Sequence, residues 1–250
     1  MKLSGLQKIT MLDFPGKLAS TVFTCGCNFR CPFCHNVDLV WHAAQAAEIP
    51  INDVLSYLTE RKNYLEGICI TGGEPLIQPE ADIISFIQTV KNLGLLVKLD
   101  TNGTNPDTLE KLIDNELIDM VAMDVKTSLD KYHILAGLGQ DDFGKKALNL
   151  SNENISKLLA SIQRSINILL QNKIPYEFRT TVIKPLHSAE DFENIGKLIE
   201  GAENYYIQSY RHANADEAEN DIFSAYTNEE LEMFKNIVQK YVKNAKVRGI

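Results

Sequence analysis

The chain has 250 residues, 44% hydrophobic and 23% charged, enough for one large domain or two small ones with a sizeable core. A formal net charge of -8 leaves no basic excess to track phosphates, which argues against nucleic acid as a main partner. No apolar run approaches the ~18 residues of a membrane span, and the opening MKLSGLQKITMLDFPG has neither the apolar region nor the cleavage site of a signal peptide. A cytoplasmic protein without a membrane partner is therefore expected, and in that reducing compartment clustered cysteines bind metal or do redox chemistry more often than they form disulfides.

In chain order, short apolar runs alternate with segments of helical period. The predicted strands are STVFT (20–24), GICIT (67–71), LLVKLD (95–100), MVAMDV (120–125), YEFRTTVI (176–183) and YYIQSY (205–210). Most are apolar enough to be buried on both faces, as parallel strands are. Between and after them, residues 51–62, 81–93, 155–170, 189–200 and 227–242 repeat apolar residues at three- and four-residue steps, the mark of amphipathic helices. In the last, Thr227 and Glu230 form a capping box, and Leu231, Phe234, Val238 and Tyr241 form the buried stripe. The longest irregular stretch, Gly137 to Asn154, reads as a loop over one mouth of the fold. No linker or low-complexity run divides the chain, so a single domain spanning residues 1–250 is expected.

Repeated βα units predict an α/β fold with parallel strands and outer helices. Six units fall short of the eight of a closed barrel, which typically takes ~250 residues, so a partial (βα)6 barrel with an open side follows. Chemistry in such folds gathers at the C-terminal ends of the strands. The segments there are Cys27 to Cys34, Thr71-Gly72-Gly73-Glu74-Pro75, Asp100-Thr101-Asn102-Gly103 and Asp124-Val125-Lys126.

Four of the five cysteines lie in TVFTCGCNFRCPFCHN, residues 21–36, and three readings compete for them. A zinc site pairs two Cys-x2-4-Cys clips separated along the chain, which Cys25 and Cys27, one residue apart, do not make. An electron carrier needs four cluster cysteines and would have to recruit Cys25 or Cys69. The third reading uses Cys27, Cys31 and Cys34 and leaves one coordination position open. Cys69, inside an apolar run, reads as a buried thiol acting as a small hydrophobe. Asp100 and Asp124 sit at adjacent strand ends and would repel each other unless a cation or a proton relieves them. Arg179, inside an apolar strand, needs a counter-charge.

The spacing Cys27-x3-Cys31-x2-Cys34, with Phe33 before the last cysteine and Gly72-Gly73-Glu74-Pro75 downstream, resembles the signature of radical S-adenosylmethionine (SAM) enzymes. The blocks KITMLDFPGKLASTVFTCGCNFRCPFCHN, CITGGEPL, LDTNG, MDVKTSLDKY and EFRTTVIKPLH, in that order, resemble the activating enzymes of glycyl radical proteins. Among these the match is to the anaerobic ribonucleoside-triphosphate reductase activating proteins. The resemblance implies the partial barrel of the radical SAM type. It also implies a [4Fe-4S] cluster on Cys27, Cys31 and Cys34, with the amino and carboxylate groups of SAM on the fourth iron and no cluster role for Cys25.

By the same resemblance, backbone around Phe33 meets the adenine, His35 touches SAM by backbone, and the Gly72-Gly73 segment bonds the SAM amino group. Glu74 orients that segment or contacts the amine. Asp124, Val125 and Lys126 line the SAM site, Lys126 offering its ammonium to the carboxylate or ribose, and Arg179 pairs with the SAM carboxylate or Asp124. Pyruvate formate-lyase activating enzymes share the DTNG and Asp-x-Lys blocks and hold a monovalent cation there. The matching positions are Asp100, Thr101, the backbone of Ala122, and Asp124. At the sixth strand those activators carry a histidine where this chain has Arg211 followed by His212, which leans toward the reductase activators. His42, His133 and His187 read as surface or packing residues.

The implied reaction is one-electron reductive cleavage of SAM to methionine and a 5′-deoxyadenosyl radical, which removes a hydrogen atom from a backbone glycine of a partner glycyl radical enzyme. A flavodoxin- or ferredoxin-type donor would supply the electron. The tail KVRGI only superficially resembles a glycyl radical motif, so the target is another protein. The rivals are activation of pyruvate formate-lyase or another glycyl radical enzyme, small-molecule radical SAM chemistry such as deazaguanine ring contraction, and a non-catalytic Fe-S electron carrier.

Overall fold

All six predicted strands form in the computed structural model, which describes residues 1–140, 147–211 and 222–249. The chain folds as two compact units: Met1–Asn28, Asn36–Ala122 and Asn172–Pro175 in one, Phe29–His35, Met123–Gln171 and Tyr176–Ile250 in the other.

In the first unit, β1 (Leu3–Thr10) runs antiparallel to β2 (Ala19–Thr24), which is followed by β3 (Gly67–Gly72) and β4 (Leu96–Thr101) in parallel. The registers Thr21↔Cys69 and Cys69↔Lys98 put these three side chains on one face of the sheet. Five of the six residues in each of β2 and β3 are buried, as expected where both faces are covered. After a single turn, α1 (Val37–Val40), the helices are α2 (Ile51–Arg61), α3 (Glu80–Asn92) and α4 (Pro106–Asp114). On α3, Ile83, Phe86, Ile87 and Val90 fall at steps of three, one and three and are all buried, each stabilising by about 1.5–3 kcal/mol.

Neither β1 nor α4 is among the predicted elements. Strand β1 shows no alternation, because only Leu3 and Thr10 are buried. Helix α4 is signalled by its start: the Asn105 side chain accepts from Thr108 N at 3.2 Å, and Pro106, which has no N–H to satisfy, takes the first helical position.

Strand β5 (Met120–Asp124) carries the chain from the first unit into the second. There β6 (Tyr176–Val182), β7 (Asn204–Ser209) and an unpredicted β8 (Asn244–Arg248) pair in parallel. The helices are α5 (Tyr132–Leu135), α6 (Asn152–Leu169), α7 (Ala189–Leu198) and α8 (Asn228–Val238). Both α7 and α8 start at capping boxes, Ser188 with Asp191 and Thr227 with Glu230. Leu231, Phe234 and Val238 are buried as predicted, and Phe234 stacks on Phe192 at 4.4 Å. Tyr241 lies beyond the helix end, its ring closing over Gly196, where an added methyl group would lie 2.4 Å away. Of the expected loop from Gly137 to Asn154, residues 141–146 lie outside the described residues and Asn152 already opens α6. No helix among the described residues is long and apolar enough to cross a membrane.

Candidate active site

In the first unit the parallel strands deliver three loops to one end. Beyond β2 the backbone turns at Gly26, φ +88°, and Cys27 follows. The glycine pair after β3 packs directly on this turn. Gly73 N donates to Thr24 O at 3.0 Å and Glu74 N to Gly26 O at 2.9 Å. A methyl group at Gly73 would lie 1.8 Å from Gly26 O, and one at Gly72, φ +115°, would lie 2.3 Å from Thr24 O. The close approach that sequence assigned to a ligand is thus first of all an approach to the base of the cysteine loop. Gly72 O accepts from Asn36 Nδ2 at 2.5 Å, while among the described residues no donor reaches the Gly73 carbonyl.

Glu74 is buried, and its carboxylate ties β3 to the end of β4. It accepts from Thr101 Oγ1 at 2.7 Å, Asn102 N at 2.6 Å and Leu76 N at 3.0 Å. Of the two roles expected for it, this geometry is the orienting one. Asn102, not singled out from sequence, directs its amide to Cys27 Sγ at 3.9 Å and to Asn28 Oδ1 at 2.9 Å. N–H groups aimed at cluster sulfurs are among the features that tune cluster potential. The sequence signal was present in LDTNG, one residue past Thr101. Asp100 is ion-paired with Lys98, which is 1% exposed.

In the second unit the rest of the loop is held by α5: Arg30 N donates to Ala136 O at 2.8 Å, and the ring of Phe29 meets Tyr132 edge-on at 6.3 Å. A methyl group at Gly137 would lie 2.0 Å from Arg30 O. Phe33 is buried with Leu135, Ile183, Tyr210 and Phe223, and Cys31 packs against this cluster. Burial pushes the Cys31 thiol up to about 12, the nearby Lys126 ammonium pulling the other way and Cys34 and Asp124 adding to the rise. Such a thiol stays protonated until a metal displaces its proton. His35 stacks on Tyr210 at 5.9 Å, and its Nε2 lies 2.7 Å from Arg211 O. A cavity of about 210 Å³ opens beside it, lined also by Thr181, Gln208, Arg211 and Arg248. His212 lies outside the described residues.

Asp124, Lys126 and Arg179 form one charge cluster. Lys126 Nζ donates to Asp124 Oδ2 at 2.9 Å and Arg179 Nε to Asp124 Oδ1 at 3.0 Å. Burial works to raise the Asp124 carboxyl, but the two cations outweigh it and hold the group well below the usual carboxylate range. Burial likewise works to lower Lys126, and the Asp124 carboxylate outweighs it, so the ammonium is held charged.

The backbone of this segment is pinned almost atom by atom. The Tyr132 hydroxyl lies 3.3 Å from both Asp124 O and Lys126 N, and Val125 N donates to Arg179 O at 2.8 Å. Thr180 Oγ1 donates to Val125 O at 2.6 Å, and His187 Nε2 lies 2.9 Å from Lys126 O. His187, expected at the surface or in packing, is buried, with Ile183 N donating to its Nδ1 at 3.2 Å. That pair of bonds fixes the neutral tautomer with its proton on Nε2.

All five cysteines are unbridged; Cys27, Cys31 and Cys34 are half-buried while Cys25 and Cys69 are buried. The Cys25 thiol lies 3.4 Å from the carbonyls of Leu39 and Ala43. Cys69 is not merely a small hydrophobe, since its sulfur lies 3.7 Å from Lys98 Nζ and 3.6 Å from Asp100 Oδ1. Three half-buried thiols on eight consecutive residues are the soft donor set an iron-sulfur cluster takes.

The model of the radical SAM superfamily matches residues 21–199. Over 250 residues the chain is 32% identical to a Methanocaldococcus jannaschii protein named as a glycyl-radical enzyme activating enzyme, covering 99% of this chain and 96% of that one. It is 29% identical over 199 residues to the pyruvate formate-lyase-activating enzyme of Clostridium pasteurianum, covering 70% and 82% of the two chains. Among solved structures, TYW1 with a lysine-pyruvate adduct superposes with a TM-score of 0.58 at 16% identity, covering 90% of this chain and 74% of that one. The anSMEcpe protein with bound AdoMet gives 0.51 at 16% identity, covering 74% and 48%. The chain belongs to the radical SAM superfamily and, within it, to the glycyl-radical enzyme activating enzymes. It is a radical SAM enzyme, and the cofactors of that family are a [4Fe-4S] cluster and SAM.

Proposed function

We propose that this chain reductively cleaves SAM and installs a glycyl radical on a partner enzyme, anaerobic ribonucleoside-triphosphate reductase. The observation that carries the reading is the cysteine loop: three unbridged thiols, with Cys31 walled by the Phe33 cluster and lying in the field of Lys126 and Asp124. Cys27, Cys31 and Cys34 would hold the cluster. Bound together, the two cofactors supply one-electron cleavage of a carbon–sulfur bond and with it the power to abstract a hydrogen atom from the α-carbon of a glycine.

The protein groups bind and orient. The Gly73 carbonyl is an acceptor for the SAM ammonium, and Lys126 offers N–H donors to its carboxylate. Phe33 and its neighbours keep water from one side of Cys31. Neither a general acid nor a general base is required. The electron comes from a flavodoxin- or ferredoxin-type donor, and the remaining work is that of a cytoplasmic single-domain activase.

Similarity to pyruvate formate-lyase-activating enzymes favours a second target, pyruvate formate-lyase. The test begins with anaerobic reconstitution, which should give about four irons per chain. Dithionite and SAM should then yield 5′-deoxyadenosine, and mixing with each candidate target should produce the glycyl doublet in electron paramagnetic resonance on the reductase alone. Ala at Cys27, Cys31 or Cys34 should abolish cluster and cleavage, whereas Cys25→Ala should keep both. A fully loaded protein that leaves SAM intact would refute the reading, and a doublet on pyruvate formate-lyase alone would reassign the target.

A further inference from the structure

Strand β5 ends at Asp124, and Lys126 lies two residues beyond it. The direction of its stem is set by the groups that hold the main chain there. Val125 N still reaches Arg179 O at 2.8 Å, but the carbonyls that follow are met by side chains, Val125 O by Thr180 Oγ1 at 2.6 Å and Lys126 O by His187 Nε2 at 2.9 Å. The His187 bond is made to Lys126 itself, from 61 residues further along the chain.

His187 is held at both ring and main chain. It is 3% exposed, Ile183 N donates to its Nδ1 at 3.2 Å, its ring lies 5.9 Å from that of Phe192, and the Tyr226 hydroxyl donates to its carbonyl. At the start of α7, Asp191 ties the same two loops again: it accepts from Ser128 Oγ at 3.1 Å and from Lys131 Nζ at 2.9 Å while closing the capping box with Ser188. The loop after β5 is thus clamped to the loop after β6. A histidine needed only for packing could give way to an apolar side chain. This one serves two main-chain groups, Ile183 N and Lys126 O, and no apolar side chain can serve either.

We infer that His187 is a positioning residue for SAM binding: through the Lys126 carbonyl it fixes the direction in which Lys126 presents its ammonium. The inference rests on Lys126 meeting SAM, as proposed above. Misplacing a binding group by about 1 Å can cost on the order of 100-fold, so loss of this bond is read in affinity and not in stability alone. Protonation should act as a substitution does. Nδ1 then becomes a donor, meets the Ile183 N–H donor to donor and is drawn toward Ile183 O, 3.4 Å away. The titratable groups around the ring are Lys126 and Lys131 on the loop after β5, Asp191 on α7 and Tyr226 ahead of α8.

The experiment measures SAM affinity calorimetrically on the cluster-loaded protein, well below its melting temperature. The wild type is compared with His187→Leu, His187→Gln, Lys126→Met and the double variant Lys126→Met/His187→Leu. His187→Leu should weaken binding about tenfold or more. His187→Gln, whose amide N–H can still reach Lys126 O, should regain most of it. On the Lys126→Met background the added His187→Leu should cost less than about twofold, since His187 acts through Lys126. In the wild type, affinity should also fall as the pH drops below 6.5, and in His187→Gln it should not.

A folded His187→Leu with wild-type affinity would overturn the inference, and so would an equal loss on both backgrounds, the mark of loosened packing. Should His187→Leu not fold, the pH series decides: parallel profiles for the wild type and His187→Gln overturn the inference, and divergent ones support it. A protein that binds SAM in none of these forms overturns the proposed function instead. Amide exchange at Val125 and Lys126 in the SAM-free protein then decides whether His187 directs this segment, faster exchange in His187→Leu than in His187→Gln supporting it and equal exchange overturning it.

Discussion

Glu74→Gln separates a strut from a ligand contact at the most buried carboxylate of the candidate site. The carboxylate has acceptors only, and among its contacts Leu76 N and Thr101 Oγ1 donate to one oxygen and Asn102 N to the other. In glutamine the carbonyl oxygen can keep the first two. The amide nitrogen then faces Asn102 N, donor against donor, and the bond at 2.6 Å is lost. A hydrogen bond to a charged group contributes about 1.5–3 kcal/mol, and the two that survive weaken as they become neutral. Burying an amide instead of a carboxylate offsets part of this. The net destabilisation should be about 2–3 kcal/mol, which for a chain of this size lowers the melting temperature by roughly 4–12 °C. Calorimetric melting of the loaded protein reads that shift, and a Glu74→Gln/Thr101→Ala cycle reads the coupling, which should be non-additive because the two residues share a bond. A variant that melts like the wild type yet binds SAM more weakly would refute the strut and return Glu74 to direct contact with the amine.

Two further outcomes follow from buried charge. Burial lowers the His187 pKa below 6.5, so the unfolded chain takes up a proton that the fold refuses. Its share of stability is full above the unfolded value and is lost as pH falls through 6.5 toward the folded value. Urea midpoints across that window should therefore drop in the wild type and flatten in His187→Gln; equal slopes would mean that His187 does not titrate with folding. Arg248 forks onto buried Glu177 with two bonds of 2.9 Å and lies over the Tyr206 ring at 3.2 Å. Arg248→Met should cost about 3 kcal/mol in urea unfolding by stranding Glu177, and Glu177→Leu/Arg248→Met should recover most of it; a double variant no better than the single one would contradict this.

What was legible in the sequence follows from burial. Strands covered on both faces declare themselves as unbroken apolar runs, so β2 to β7 could be placed to within a residue or so at each end. Strands β1 and β8 are not so covered. Leu3–Thr10 buries only its two end residues and Asn244–Arg248 only Ala245, so neither carries the period-two pattern that would have revealed it. The cysteine loop was legible because metal chemistry fixes residue type and spacing together. Asn102, Tyr132 and His187 were not, because each acts through a neighbour: Asn102 on the Cys27 sulfur, Tyr132 and His187 on the main chain of Asp124 to Lys126. A residue that holds a backbone carbonyl has no motif of its own, since any donor of suitable length could serve.

Gly72 and Gly73 show how one feature can support two explanations until distances choose between them. Glycines before a turn permit close approach of whatever lies opposite, and sequence alone names a ligand as readily as another strand. Here the opposite partner is the Thr24–Gly26 backbone, with two N–H groups of the pair's loop already donated to it. The loop that bears Cys27 is therefore anchored by main-chain bonds to the loop after β3. Glu74 then ties that second loop to the end of β4, from which Asn102 reaches back to the Cys27 sulfur. A ring of contacts closes through three successive strand ends. Because each link is a hydrogen bond or a steric limit on the backbone, displacing any one of them moves Cys27, and the position of this thiol depends on residues that never touch it.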